Sequence, residues 1–173
     1  MPKWYGGSAL NPDELLPQDH QWKIQWSRLV RWHDRVRHIR GKSIQEDLTA
    51  SDMDIVIAFF QNCYHLRDWL EASQLELRED IKKVFHDSFE MGACRDMCHG
   101  FKHKALSNPS HDADFNLYRE YDYFETKNNP TKYRVAFAHE YDIKKFDLFE
   151  LVEACFLLWK DFLSRKGLLP NQS

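Results

Sequence analysis

The sequence predicts a mainly α fold: an antiparallel bundle of four to five helices, with a β-hairpin (about 115–141) inserted before the last helix. Three observations point there. Apolar residues recur at helical period along several long segments. Gly and Pro number only 6 each, which leaves few tight turns and argues against a multi-stranded sandwich. One stretch alone changes to period-two alternation. A chain of 173 residues, 43% hydrophobic and 14% aromatic, is expected to fold as a single domain over residues 1–173, not to stay disordered.

Residues 1–18 hold Pro2, Pro12 and Pro17 and read as an irregular arm. A first helix is expected over about 19–40, with Trp22, Trp26, Leu29, His33 and Val36 as its apolar stripe and Gly41 as its stop. Ser51 and Asp54 look like the start of a second helix that runs to about Ala72. Ile55, Phe59, Cys63, Leu66 and Leu70 form its core stripe, and Gln61, His65 and Asp68 form a narrow polar edge. A more polar, peripheral helix follows over about 75–85, then a fourth over about 89–106, which Asn108-Pro109 ends. Tyr133, Val135, Phe137, His139 and Tyr141 alternate with Arg134, Ala136, Ala138 and Glu140, and Lys127-Asn128-Asn129-Pro130 supplies turn chemistry before them. A last helix, about 146–166, is expected to bury Leu148, Val152, Cys155, Trp159 and Phe162 before Gly167 and Pro170 close it.

The amino terminus has no apolar run of signal-peptide length, and no stretch approaches ~18 apolar residues, so no membrane span is expected. Cys63, Cys94, Cys98 and Cys155 all fall inside expected helices. Cys94 and Cys98, four apart on one helix, suit packing better than a disulfide. A reduced, cytoplasmic protein is the simplest expectation. The formal net charge of −3 excludes a polyanion binder by composition, yet the charge is unevenly spread. Residues 23–42 carry seven Lys/Arg against one acid, Asp34. Arg28, Arg31, Arg35 and Lys42 form a cationic stripe with Trp22, Trp26 and Trp32 interleaved, which could track a phosphate backbone. The plainer reading makes the tryptophans core and the arginines a wetted face paired with later acidic segments.

Chemistry concentrates on the fourth helix, over Cys94-Arg95-Asp96-Met97-Cys98-His99-Gly100-Phe101-Lys102-His103. Arg95, His99 and His103 recur every four residues along one side, and Lys102 sits beside them. One reading makes the cysteines a core stripe and the Arg/His/Lys set a solvated edge. A second is metal-independent cleavage of RNA by its own 2′-hydroxyl. His99 and His103 would be the proton-transfer pair, Arg95 and Lys102 would hold the phosphate, and His65 and Asp68 would support them. A third is a metal held by His99 and His103, although Gly100 stands where zinc enzymes of that spacing carry a glutamate. Cys94, Cys98, His99 and His103 cannot all converge on one ion, because Cys and His point to different sides of the helix. No cofactor and no resident metal is expected. His33, within an apolar stripe, reads as a core histidine, and His139 as packing on the hairpin. Gly-rich phosphate loops, nucleophile elbows and paired-carboxylate motifs are not visible, so nucleotide hydrolysis and glycosidase chemistry are poorly supported.

A helical bundle with an Arg-and-His edge late in the chain resembles the HEPN superfamily, small helical domains of bacterial toxins and anti-phage systems, many of which cleave RNA. Residues 59–70, with His65-Leu66-Arg67-Asp68-Trp69, together with Cys98-His99-Gly100-Phe101-Lys102-His103, are also similar to an uncharacterised bacterial family. That family pairs a His-Leu-x-Asp-Trp helix with an Asn-Gly-x-Lys-His-like segment. The resemblance spans about residues 50–106. It implies a domain that binds or cleaves RNA, a homodimer in which two copies of the fourth helix face one another, or a non-catalytic interaction module of the same fold. The HEPN signature sets four to six residues between its Arg and its His. Here three separate Arg95 from His99 and seven separate it from His103, a departure that bears on activity more than on fold.

Overall fold

The computed structural model describes residues 20–43, 48–102, 116–120, 132–139 and 142–169. Within them the chain forms α1 (Trp22–Ser43), α2 (Ala50–Ser73), α3 (Arg78–Asp87) after a single 3-10 turn at Leu75–Leu77, and α4 (Phe89–Lys102). Three strands follow, β1 (Asn116–Glu120), β2 (Lys132–His139) and β3 (Asp142–Asp147), before α5 (Leu148–Arg165). The expected helical bundle is there. The expected hairpin is the first two strands of a three-stranded antiparallel sheet in the order β1-β2-β3.

Helix α1 buries Trp22, Leu29, His33 and Val36 from the expected stripe, while Trp26 is only half-buried and stacks on Phe156 with ring centroids 5.4 Å apart. It does not stop at Gly41. That glycine has a helical φ, open space around it and no turn to make, and the helix runs on to Ser43. The start of α2 also differs. Thr49, not Ser51, is the N-cap: its hydroxyl accepts from the Asp52 N–H at 3.2 Å, and the Asp52 carboxylate accepts from the Thr49 N–H at 2.8 Å. This reciprocal box satisfies two donors that the helix itself leaves orphaned. The Asp52 carboxyl is held below the usual 3.8 by the Thr49 backbone hydrogen bond first, then by the Thr49 hydroxyl and Lys42. A lowered carboxyl stabilises the fold above its unfolded pKa, and that stability is lost as pH falls through the folded value. Thr49→Ala is therefore expected to cost about 1 kcal/mol at pH 7. The cost should shrink in urea titrations as pH falls through the folded pKa of Asp52, which lies below 3.8.

Gln25 donates to both the backbone oxygen and the side chain of Asn62 at 3.0 Å, and Lys42 pairs with Asp52 at 3.3 Å. Arg28 lies 5.5 Å over the Trp69 ring. From Gln25–Asn62 to Lys42–Asp52 the α2 number falls as the α1 number rises, so the two helices are antiparallel neighbours. Helices α2 and α4 behave oppositely. Cys94 meets Phe60 and His99 meets Tyr64, so these two run parallel, with the short α3 returning the chain between them. The sheet covers the bundle through Val135, which is flanked across the strands by Leu117 and Phe146. Phe146 stacks on Phe89 of α4 at 4.6 Å, and the Tyr133 hydroxyl accepts from the Leu48 N–H at 2.7 Å. Asp147 then caps α5, accepting from the N–H groups of Phe149 and Glu150. Gly167, with φ of +67°, ends α5 as expected.

Candidate functional site

The parallel pairing of α2 and α4 makes the candidate site, because it lays the polar edge of one helix beside the polar edge of the other. His99 of α4 meets the Tyr64 ring of α2 edge-on, with centroids 4.9 Å apart. Tyr64 also neighbours His65 at 6.4 Å and receives Phe85 of α3 edge-on at 5.7 Å. The Arg67 guanidinium spans the same ring at 5.7 Å and donates to the Tyr64 hydroxyl at 3.1 Å and to Glu71 at 2.8 Å. His65, Asp68, Arg95 and His99, four of the six residues assigned to the reacting centre from the sequence, thus surround Tyr64 and Arg67. The other two are not placed. His103 lies outside the described residues, and Lys102 closes α4 with its side chain outside them.

The electrostatics of this edge are mixed. Partial burial raises the Asp68 carboxyl, with Arg67, His65 and His99 drawing it down and Glu71 pushing it up. Asp68 itself remains exposed to water at the rim. Burial also raises the Tyr64 phenol, Arg67 and Arg95 counteract it, and Asp68 adds to it. The phenol therefore stays protonated at neutral pH and serves as a neutral hydrogen-bonding group. Arg67 loses some proton affinity to burial and regains more from Glu71 and Tyr64, so its charge is permanent. Two fixed cations (Arg67, Arg95), two imidazoles (His65, His99), two carboxylates (Asp68, Glu71) and a phenol (Tyr64) share this edge.

Tyr64 and Arg67 carry no expected site role, yet both lie among the expected residues at this edge. The signal was available. Tyr64, Arg67, Asp68 and Glu71 follow three, four and seven apart, one face of a helix, and that face continues the His65 and Asp68 edge. Arg28 extends the cationic surface toward this edge by covering Trp69, the residue next to Asp68. A groove of about 270 Å³ lies there, lined by Gln21, Asp68, Trp69, Ala72 and Ser73. A larger one of about 410 Å³ opens between α3 and α5 around Asp80, Lys83, Phe162 and Arg165, and none of the expected site residues lines it.

Along the α1 stripe, Arg31 and Arg35 are exposed, and Arg35 stacks over Trp32 at 4.4 Å. The two ends are engaged, Arg28 with Gln25 and Trp69 and Lys42 with Asp52. Of the interleaved tryptophans, Trp22 is core and Trp26 and Trp32 pack against it. His33 is a core histidine, as expected, with a partner the sequence did not disclose. It bonds Glu153 of α5 at 2.7 Å and stacks on Phe156 at 3.8 Å. The side chain of His139 lies outside the described residues. All four cysteines are buried and free, in keeping with their reading as core. No helix among the described residues is long and apolar enough to cross a membrane. No family model, curated protein or solved structure matches the chain.

Proposed function

We propose that the α2–α4 edge is an RNA site of HEPN-like type, working without a metal, in a protein of the toxin or anti-phage class that the resemblance implies. The observation that carries this reading is the convergence of His65, Asp68, Arg95 and His99 around Tyr64 and Arg67. A phosphodiester there meets Arg95 and Arg67 as fixed positive charge. His99 is the group suited to exchange a proton with the 2′-hydroxyl or the leaving oxygen, and His103 would be its partner. Arg31 and Arg35 offer the strand a cationic path along α1, and Arg28 on Trp69 carries that path to the edge.

A non-catalytic module is favoured by one specific observation. Arg67 is already engaged by Glu71 and Tyr64, so part of the edge is internally satisfied, as in a docking surface. In that version two copies of α4 face one another in a homodimer. Fluorescence anisotropy with labelled single-stranded RNA separates the two. The RNA reading predicts binding that weakens with salt, by about 0.7 in log–log slope for each phosphate contacted. It also predicts a shallower slope in Arg31→Glu/Arg35→Glu. No binding at low salt by a protein that sediments as a dimer would select the module.

A further inference from the structure

Three of the four cysteines converge from three different helices. The sulfurs of Cys63 in α2, Cys94 in α4 and Cys155 in α5 all lie within 4.8 Å of one another. Each side chain is fully buried. Among the described residues these form the only group of His, Cys, Asp or Glu able to hold a metal ion. Cys98 is outside it, so the set differs from the Cys94/Cys98/His99/His103 combination that the α4 sequence brings to mind.

The spacing matches a shared ion. Three sulfurs about 2.3 Å from a metal at the centre of a triangle stand about 4.0 Å apart, which small rotations of the side chains reach from the observed arrangement. The thiol protons now have only weak partners. Cys94 donates to the Phe60 carbonyl at 3.6 Å and Cys155 to the Glu90 carbonyl at 3.3 Å. The scaffold is rigid: the Trp159 indole donates to the Cys63 carbonyl at 3.0 Å and ties α5 to α2 beside the sulfurs. Burial raises the Cys94 and Cys155 thiols.

We propose that Cys63, Cys94 and Cys155 form a closed three-sulfur site for one thiophilic monovalent ion, Cu(I). Zinc in closed sites takes four ligands, and among the described residues this group offers three, each fully buried. All-sulfur donor sets select soft ions. Ligating cysteines are thiolates, so Cu(I) entering displaces the three thiol protons to solvent while the site is open, with no oxidation or reduction. With each thiol fully buried, the ion enters during folding or local opening of the bundle.

The test is to refold the reduced full-length chain without oxygen beside one equivalent of Cu(I) held by a competing chelator, then gel-filter it. One copper retained per chain, with a raised unfolding midpoint, is expected. Cys98→Ser should keep that copper, and Cys63→Ser should lose it. X-ray absorption at the copper edge of the wild-type protein should find sulfur neighbours only, a readout independent of how the variants fold. Folded wild-type protein without copper overturns the proposal. So do nitrogen neighbours, which would place the ion on histidines, and retention of Zn(II) in preference to Cu(I).

Discussion

Trp159→Ala is expected to destabilise the protein by about 3–5 kcal/mol, the range for deleting a fully buried tryptophan. Its ring is completely enclosed and meets Phe85 and Phe162 edge-on, each at 5.8 Å. Its indole N–H is also the partner of the Cys63 carbonyl. The variant therefore leaves a cavity and removes the bond by which α5 is tied to the α2 backbone, whose carbonyl keeps its helical partner. Against a typical domain stability of about 5–15 kcal/mol that is a large fraction, and the denaturant midpoint followed by circular dichroism should fall accordingly. Trp159→Phe keeps most of the volume and should cost markedly less. The loss should also reach the site, because the aromatic chain runs from Trp159 through Phe85 to Tyr64 and then to His99, at 5.8, 5.7 and 4.9 Å.

His99→Ala should lower RNA cleavage by about 10²- to 10⁴-fold, the usual contribution of a positioned proton-transfer group. His99 is half-buried and meets the Tyr64 ring edge-on, so the substitution should lower the unfolding midpoint by far less than Trp159→Ala does. Arg95→Ala should act differently. Removing a fixed charge weakens RNA binding as well as turnover, and Arg95→Lys should restore binding more fully than turnover. Tyr64→Phe keeps the ring that positions His99 and deletes only the hydroxyl that accepts from Arg67, so its effect should stay within about tenfold. This ordering distinguishes a reacting edge from a packing edge. A packing edge would show its loss in stability first.

Much of this architecture is legible in the chain because helical period is a local signal. Leu29, Val36, Phe59, Leu66, Val152 and Trp159 fall at core spacing and are buried. Boundaries were less legible, for a physical reason. A glycine ends a helix only when the backbone takes a positive φ there, as Gly167 does and Gly41 does not. Thr49 and Ser51 are equally good caps by type, and the reciprocal bond to Asp52 decides between them. Strand β3, rich in Lys and Asp, has weak strand propensity and is held by pairing to β2, Phe146 beside Val135. The site was legible on each helix separately. Its assembly is legible in part, since His65 and Asp68 are expected to support His99, whereas the place of Tyr64 and Arg67 among them depends on tertiary packing that no local pattern encodes. For the same reason the three converging sulfurs look like unrelated packing residues.

That the α2–α4 edge cleaves RNA without a metal is tested most directly by mixed single-stranded RNA incubated with purified wild-type protein and His99→Ala, with and without a metal chelator. Cleavage through the 2′-hydroxyl should survive the chelator, vanish in His99→Ala and leave cyclic phosphate ends. Intact RNA under every condition, or cleavage abolished by chelator, would contradict it.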